Sequence, residues 1–248
     1  MKNKLIHEIR AVKNKTELAN IVKAQRIAER VLVDVLKKLR TGITELEVQD
    51  FICASFTKYG APVLSFPPIV AFGKNTANIH HEPGKSKLKR PARRGGADTV
   101  MLDFGCTVNH YCSDMTRTYF WGEPSAKQKK IYLAVLEAQE RALAKLAKGE
   151  KNCKKIDSSA RDFLNKKFPK NFQHGLGHGV GTVIHEWPNF KPKSTDILPA
   201  GCVMTIEPGL YFPGFAGVRI EDMALITKSG CVNLTHVPKS FESAILSA

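Results

Sequence analysis

The stretch His174-Gly-Leu-Gly-His178-Gly-Val-Gly-Thr-Val-Ile-His185 puts three of the chain's eight histidines and four glycines within twelve residues. A glycine inside a helix or a central strand costs about 0.5–1 kcal/mol relative to alanine, so this density argues against both. It fits backbone that must pass close to something small, such as a metal ion or a substrate, with imidazoles beside it. Read alone, the segment is also compatible with a surface loop carrying incidental histidines. The rest of the chain decides between the two.

Working outward, the 248 residues allow one large core or two small ones. No composition break, linker or repeat divides them, and the pattern reads as one α+β domain over residues 1–248. No apolar run approaches the ~20 residues of a membrane span. The charged start Met1–Glu8 lacks the apolar segment of a secretory signal. The six cysteines are scattered without a Cys-x-x-Cys pair, so nothing suggests a zinc ribbon or a disulfide framework, and reduced thiols in a cytoplasm are the default expectation. A net charge of +15 attracts polyanions. Its sharpest cluster, Lys85, Lys87, Lys89, Arg90, Arg93 and Arg94, has no interleaved aromatics or helical period. It supports weak nucleic-acid binding at most, beside the plain reading of a solvated basic loop.

Along the chain, Leu18, Ile21, Ala24, Ala28, Val31, Val35 and Leu39 recur at helical steps and predict a helix over residues 16–40, ended by Gly42. Thr44 with Glu47 forms a capping box for a second helix that buries Val48, Phe51, Ile52 and Phe56 and closes at Tyr59-Gly60. Strands are expected at Ile69–Phe72, Thr99–Gly105, Asn109–Asp114 and Met115–Trp121. Ser125 with Gln128 caps a third helix, and a fourth covers Ile156–Phe168. Two further strands, Cys202–Glu207 and Gly217–Thr227, are joined by Pro208-Gly-Leu-Tyr211.

Five residues sit where an ordinary core would not choose them. Asp103 closes an apolar run and Asp114 follows eleven residues later. Glu207 follows Val203-Met-Thr-Ile206, and Glu221 follows Gly217-Val-Arg-Ile220. Buried carboxylates are costly unless paired or bound to a metal. With His178 they make an oxygen-rich set suited to two divalent ions, Mn²⁺, Co²⁺, Fe²⁺ or Zn²⁺, rather than to a thiolate-bound structural zinc. Two such ions about 3.5–4 Å apart can share a water, lower its pKa and polarise a carbonyl.

These residues fall in motifs: Asp103-Phe-Gly, Ser113-Asp114-Met-Thr-Arg-Thr118, His174-x₃-His178-Gly-x-Gly-x₃-His185-Glu186-x-Pro188, Ile206-Glu207-Pro-Gly-Leu-Tyr211 and Arg219-Ile-Glu221-Asp222. In this order they resemble the pita-bread metallopeptidases, the family of methionine aminopeptidase, aminopeptidase P, prolidase and creatinase. The resemblance implies a curved antiparallel sheet covered by helices, two metal ions (Mn²⁺ first) and hydrolysis of the N-terminal bond of short peptides. It implies Asp103, Asp114, His178, Glu207 and Glu221 as ligands, with Glu207 also moving the proton of the attacking water. His80 and His185 would face the substrate, His174 would support the tetrahedral intermediate, and Tyr211 and Arg219 would stand on the substrate side or behind the ligands. His81 and His110 match nothing catalytic and read as surface or packing residues.

The local motifs resemble the Xaa-Pro branch, aminopeptidase P and prolidase. The layout, with no room for that branch's separate N-terminal domain, resembles methionine aminopeptidase. Motifs line the site, so the expectation is an Xaa-Pro peptidase, monomeric or homodimeric, with methionine aminopeptidase as the alternative. A non-catalytic RNA- or protein-binding member of the fold would have lost ligands, and none is lost here.

Overall fold

Five helices and thirteen short strands make up the computed structural model, which describes residues 2–91 and 96–247. Helix α1 (Lys2–Ala11) is absent from the sequence reading. Helix α2 (Lys15–Lys38) starts at Asn14, whose side chain accepts from the Thr16 and Glu17 N–H groups while the Glu17 carboxylate accepts from the Asn14 N–H. Its buried stripe is Ile21, Ala24, Ala28, Val31 and Val35, as the periodicity predicts, widened by Gln25 and Leu32. Helix α3 (Glu45–Lys58) has the expected Thr44–Glu47 capping box, and Gly60 turns the chain away at φ +76°. Helix α4 (Ala126–Ala147) has the Ser125–Gln128 box. Helix α5 (Cys153–Lys167) begins three residues before its predicted start, because Asn152 caps it.

The strands in chain order are β1 (Ile69–Phe72), β2 (Asp98–Asp103), β3 (Thr107–Val108), β4 (Tyr111–Cys112), β5 (Thr116–Trp121), β6 (Gly177–Gly179), β7 (Glu186–Phe190), β8 (Val203–Ile206), β9 (Gly209–Phe212), β10 (Ala216–Arg219), β11 (Asp222–Ile226), β12 (Cys231–Asn233) and β13 (Ile245–Leu246). They form a four-stranded sheet in the order β1-β2-β5-β13, a five-stranded sheet in the order β12-β11-β8-β6-β7, and the hairpins β3–β4 and β9–β10. All pairs are antiparallel except β5–β13. The expected curved antiparallel sheet is thus two sheets and two hairpins, with one parallel edge. A core running from α2 and α3 through both sheets to α4 includes Val31, Ile52, Phe56, Phe104, Phe120, Val135 and Ile206.

Three expectations need correction. The glycine–histidine segment does contain a strand, β6, paired on both sides. Its glycines admit neighbouring protein, while Gly175 and Gly177 also line a cleft shared with His178: a Cβ on Gly177 would lie 2.0 Å from the Thr205 carbonyl oxygen. Gly181 likewise makes room for the Glu186 carboxylate, 2.3 Å from where its Cβ would be. Asn109 and His110 are not strand residues. Both have positive φ, +48° and +69°, and turn the β3–β4 hairpin, the role for which asparagine is suited in a two-residue hairpin loop. Finally, Gly209–Phe212 is a strand, and the expected strand over 217–227 breaks at Ile220–Glu221 into β10 and β11. The break lets β10 pair with β9 while β11 pairs with β8.

Candidate metal centre and substrate cleft

The registers bring the acidic residues to one place. Asp103, the last residue of β2, is opposite Thr116, the first of β5, and Asp114 precedes that strand by two residues. Ile206 is opposite Asp222, so Glu207 and Glu221 extend from adjacent strand ends. His178 is the middle residue of β6. Its Nδ1 lies 3.1 Å from the Gly179 carbonyl, an acceptor only, so Nδ1 carries the proton. Nε2 then faces Glu207 Oε1 at 3.3 Å and Asp114 Oδ2 at 3.7 Å.

Asp103, Asp114, His178, Glu207 and Glu221 line one cleft of about 860 Å³, together with His80, His174, His185 and Arg219. Ligand atoms of Asp114, His178 and Glu221 all lie within 4.8 Å of one another. Burial, then the charges of Glu221, Asp103 and Glu207, push the Asp114 carboxyl well above the usual carboxylate range. Burial, then Glu207 and Asp103, do the same to Glu221. Burial raises Asp103 as well, only partly offset by Arg219. Burial would raise Glu207 too, but the His178 hydrogen bond and the charges of His178, His174 and Arg219 outweigh it and hold that carboxyl at about 2.

Within this crowd of carboxylates two buried oxygens, Asp103 Oδ1 and Glu221 Oε1, have no hydrogen-bond partner. Buried polar atoms are rarely left so. Unpartnered carboxylate oxygens beside an imidazole nitrogen that faces them are the donors that hard or borderline divalent ions take. The residues fit the metal group.

The surrounding side chains hold these donors. Thr116 Oγ1 donates to Glu221 Oε2 (2.6 Å) and accepts from Arg219 Nε (3.0 Å). Thr205 Oγ1 links the His178 N–H (3.0 Å) to Glu207 Oε1 (3.2 Å). Arg219 Nη2 donates to Asp103 Oδ2 at 2.5 Å and Nη1 to the Tyr211 hydroxyl at 2.8 Å. Tyr211 is fully buried and does not line the cleft. Its hydroxyl is 2.8 Å from His174 Nε2, and His174 Nδ1 donates to the Gly175 carbonyl at 2.8 Å. Burial lowers the His174 pKa, so Tyr211 is the donor to a neutral ring. Tyr211 therefore stands behind His174, the second of the two placements expected for it.

His185 sits edge-on to His178, ring centroids 4.3 Å apart. Burial and then the His178 charge lower its pKa. The adjoining Glu186 is tied down by Arg10 Nη2 (2.5 Å), Lys13 Nζ (3.3 Å) and the Val183 N–H (3.1 Å). His80 is exposed at the cleft. His81, read from sequence as a packing residue, pairs with Glu45 at 2.9 Å. The buried Glu45 carboxylate also accepts from the Phe72 and Gly84 N–H groups and the Asn75 amide, fixing the segment that carries His80. Sequence reasoning missed Glu45, Thr116 and Thr205. Thr116 lies inside the Ser113–Thr118 motif and Thr205 in the run that precedes Glu207, both read there for other residues. In the basic cluster, Lys85, Lys87, Lys89 and Arg90 are exposed, and Arg93 and Arg94 lie outside the described residues.

The fold and this donor set define the class, a pita-bread domain with a carboxylate–histidine cluster fit to hold metal. The chain belongs to metallopeptidase family M24, which it matches over residues 19–228. An uncharacterized peptidase of Staphylococcus aureus is 40% identical over 235 residues, 94% of this chain and 65% of the relative. The chain thus spans about two thirds of that relative's length. Among solved structures it is similar to an X-Pro aminopeptidase from Thermotoga maritima (TM-score 0.91, 36% identity, 99% of this chain and 67% of that one). It is also similar to a prolidase from Pyrococcus furiosus (0.89, 38%, 95% and 68%) and an Xaa-Pro dipeptidase from Bacillus anthracis (0.90, 36%, 98% and 66%).

Proposed function

We propose that this chain is a two-metal exopeptidase that cleaves the N-terminal bond of short peptides, with proline following the residue released. One observation carries the reading: five potential ligands meet at one cleft while two of their buried oxygens lack any partner. The Xaa-Pro preference is supported by the Ser113–Thr118 and Arg219–Asp222 motifs and by the names of the similar structures.

Asp103, Asp114, His178, Glu207 and Glu221 would hold the two ions, with Mn²⁺ the first expected. When bound, the ions supply Lewis acidity and a nucleophile at neutral pH. Glu207 takes the proton from the attacking water and returns it to the leaving amine; a carboxyl that is ionised in the resting site can begin as base. His80 and His185 contact the peptide. His174, whose Nδ1 donates to Gly175 and whose Nε2 accepts from Tyr211 in the free protein, supports the oxyanion in its protonated form, after Nε2 takes up a proton from solvent and donates to substrate in place of accepting from Tyr211. Arg219 orients Asp103 and favours its ionised form against the cost of burial. The six cysteines are all free and no described helix is long and apolar enough to cross a membrane, which supports a cytoplasmic setting.

The test is hydrolysis of a peptide panel by metal-stripped protein reloaded with Mn²⁺: Xaa-Pro dipeptides, Xaa-Pro-Xaa tripeptides and Met-Ala-Ser. Cleavage confined to the proline peptides is expected, and dipeptide against tripeptide separates prolidase from aminopeptidase P activity. Cleavage only after methionine would replace the reading with methionine aminopeptidase. No cleavage with Mn²⁺, Co²⁺ or Zn²⁺ would end it.

A further inference from the structure

Two of the ligand carboxylates hang from backbone that a single side chain holds. Gln139, fully buried in the middle of α4, donates from Nε2 to the Ile206 carbonyl (3.0 Å) and to the Ile220 carbonyl (3.1 Å). The residues that follow those carbonyls are Glu207 and Glu221. One carbonyl lies at the end of β8 and the other at the break between β10 and β11, so the amide joins two chain segments just before each turns into the cleft. Its Oε1 accepts from Lys239 Nζ at 2.6 Å. The amide cannot be reversed, because both carbonyls only accept and the ammonium only donates. Lys239 also reaches the Asp222 carboxylate, Asp222 pairs with Arg117 at 2.7 Å, and Arg117 Nη1 donates to the Glu221 carbonyl at 2.5 Å. The brace is therefore anchored at both ends.

We infer that Gln139 is a positioning residue for the metal centre: from the side of the strands that faces α4, it sets the separation of Glu207 and Glu221. The inference rests on the metal-binding reading above. A ligand pair tuned in this way loses metal affinity when its support is removed, on the order of 10–100-fold for outer partners of ligands. A buried glutamine that merely satisfies backbone would change stability alone.

The same helix provides the control. Gln128 is also buried and donates to the Ala97 carbonyl (2.8 Å) and Thr99 Oγ1 (3.0 Å), at the end of β2 opposite Asp103. The experiment is calorimetric titration of EDTA-stripped full-length protein with Mn²⁺. Gln139→Met is expected to weaken binding on the order of 10–100-fold, with helical content retained and kcat reduced more than KM is changed. Gln128→Met should lower the melting temperature yet leave Mn²⁺ affinity at the wild-type value. If Gln139→Met fails to fold, Gln139→Asn carries the test: it keeps an amide but is one methylene too short to reach both carbonyls, and the same loss is expected. Unchanged affinity in the folded Gln139 variants, or an equal loss in Gln128→Met, would overturn the inference while leaving the metal reading intact. A wild type that binds no Mn²⁺ would overturn both.

Discussion

Replacing Asp114 with asparagine should stabilise the metal-free protein and destabilise the metal-loaded one relative to wild type. Asp114 is 4% exposed, and its carboxylate lies within 4.8 Å of Glu221 oxygen. Two unit charges at that distance and an effective dielectric constant of about 20 repel by about 3.5 kcal/mol. The protein escapes part of this by taking up a proton, so a net gain of about 1–3 kcal/mol is expected for Asp114→Asn above neutral pH. The sign follows from the direction of the shift. Burial and the neighbouring carboxylates raise the Asp114 pKa in the folded state. Metal-free wild type therefore loses stability as pH climbs from the unfolded carboxyl value of about 3.9 through the raised folded value, and the variant does not share that loss. Added Mn²⁺ reverses the order: a ligand at about a hundred times its Kd contributes about 2.7 kcal/mol, and the variant, one carboxylate short, gains less. Urea unfolding followed by tryptophan fluorescence, in EDTA and in Mn²⁺, reads both arms. Asp114→Asn less stable than wild type in EDTA would refute the reasoning.

Other expectations are more local. Glu207→Gln should lower kcat by about 10²–10⁴-fold with unchanged circular dichroism; retained turnover would remove Glu207 from proton transfer. Tyr211→Phe removes the hydroxyl shared by His174 and Arg219, a loss of about 1–3 kcal/mol in stability, measurable as a shifted urea midpoint. For Glu186, burial raises the carboxyl but Lys13 and Arg10 pull it below its ordinary value. Its stabilising contribution is thus complete above the unfolded value of about 4.3 and lost as pH falls through the folded one. Amide protection in α1, relative to the intrinsic exchange rate at each pH, should fall in that acidic window in wild type, and Glu186→Gln should lack that fall. Nucleic acid, if it binds the exposed Lys85–Arg90 segment, should do so weakly and with an affinity falling steeply with salt; a filter-binding assay silent at low salt would dismiss it.

The parts of this fold that were legible in the sequence are local. The Thr44–Glu47 and Ser125–Gln128 capping boxes lie within four residues each. Each ligand carboxylate except Asp114 follows an apolar run that could be read as a strand. What was not legible depends on partners distant in the chain. Helix α1 exposes Leu5, Ile6 and Ile9 and so lacks a readable buried face; Arg10 and Lys13 hold it to Glu186, more than 170 residues away. The glycines around His178 signalled close approach correctly but not what approaches, because the Thr205 carbonyl belongs to a strand later in the chain. Gln139 looks like any polar residue on a helix until the ends of β8 and β10 converge on it. The turn at Asn109-His110, the Asn14–Glu17 capping box and the Asn152 cap were readable features passed over.

In the proposed site five side chains hold two divalent ions. Mn²⁺-reconstituted protein, freed of loosely held ion by gel filtration and assayed for metal per chain, tests it most directly. The account predicts two ions per chain in wild type and fewer in Asp114→Asn and Glu221→Gln. No retained metal, or an equal content in wild type and both variants, would contradict it.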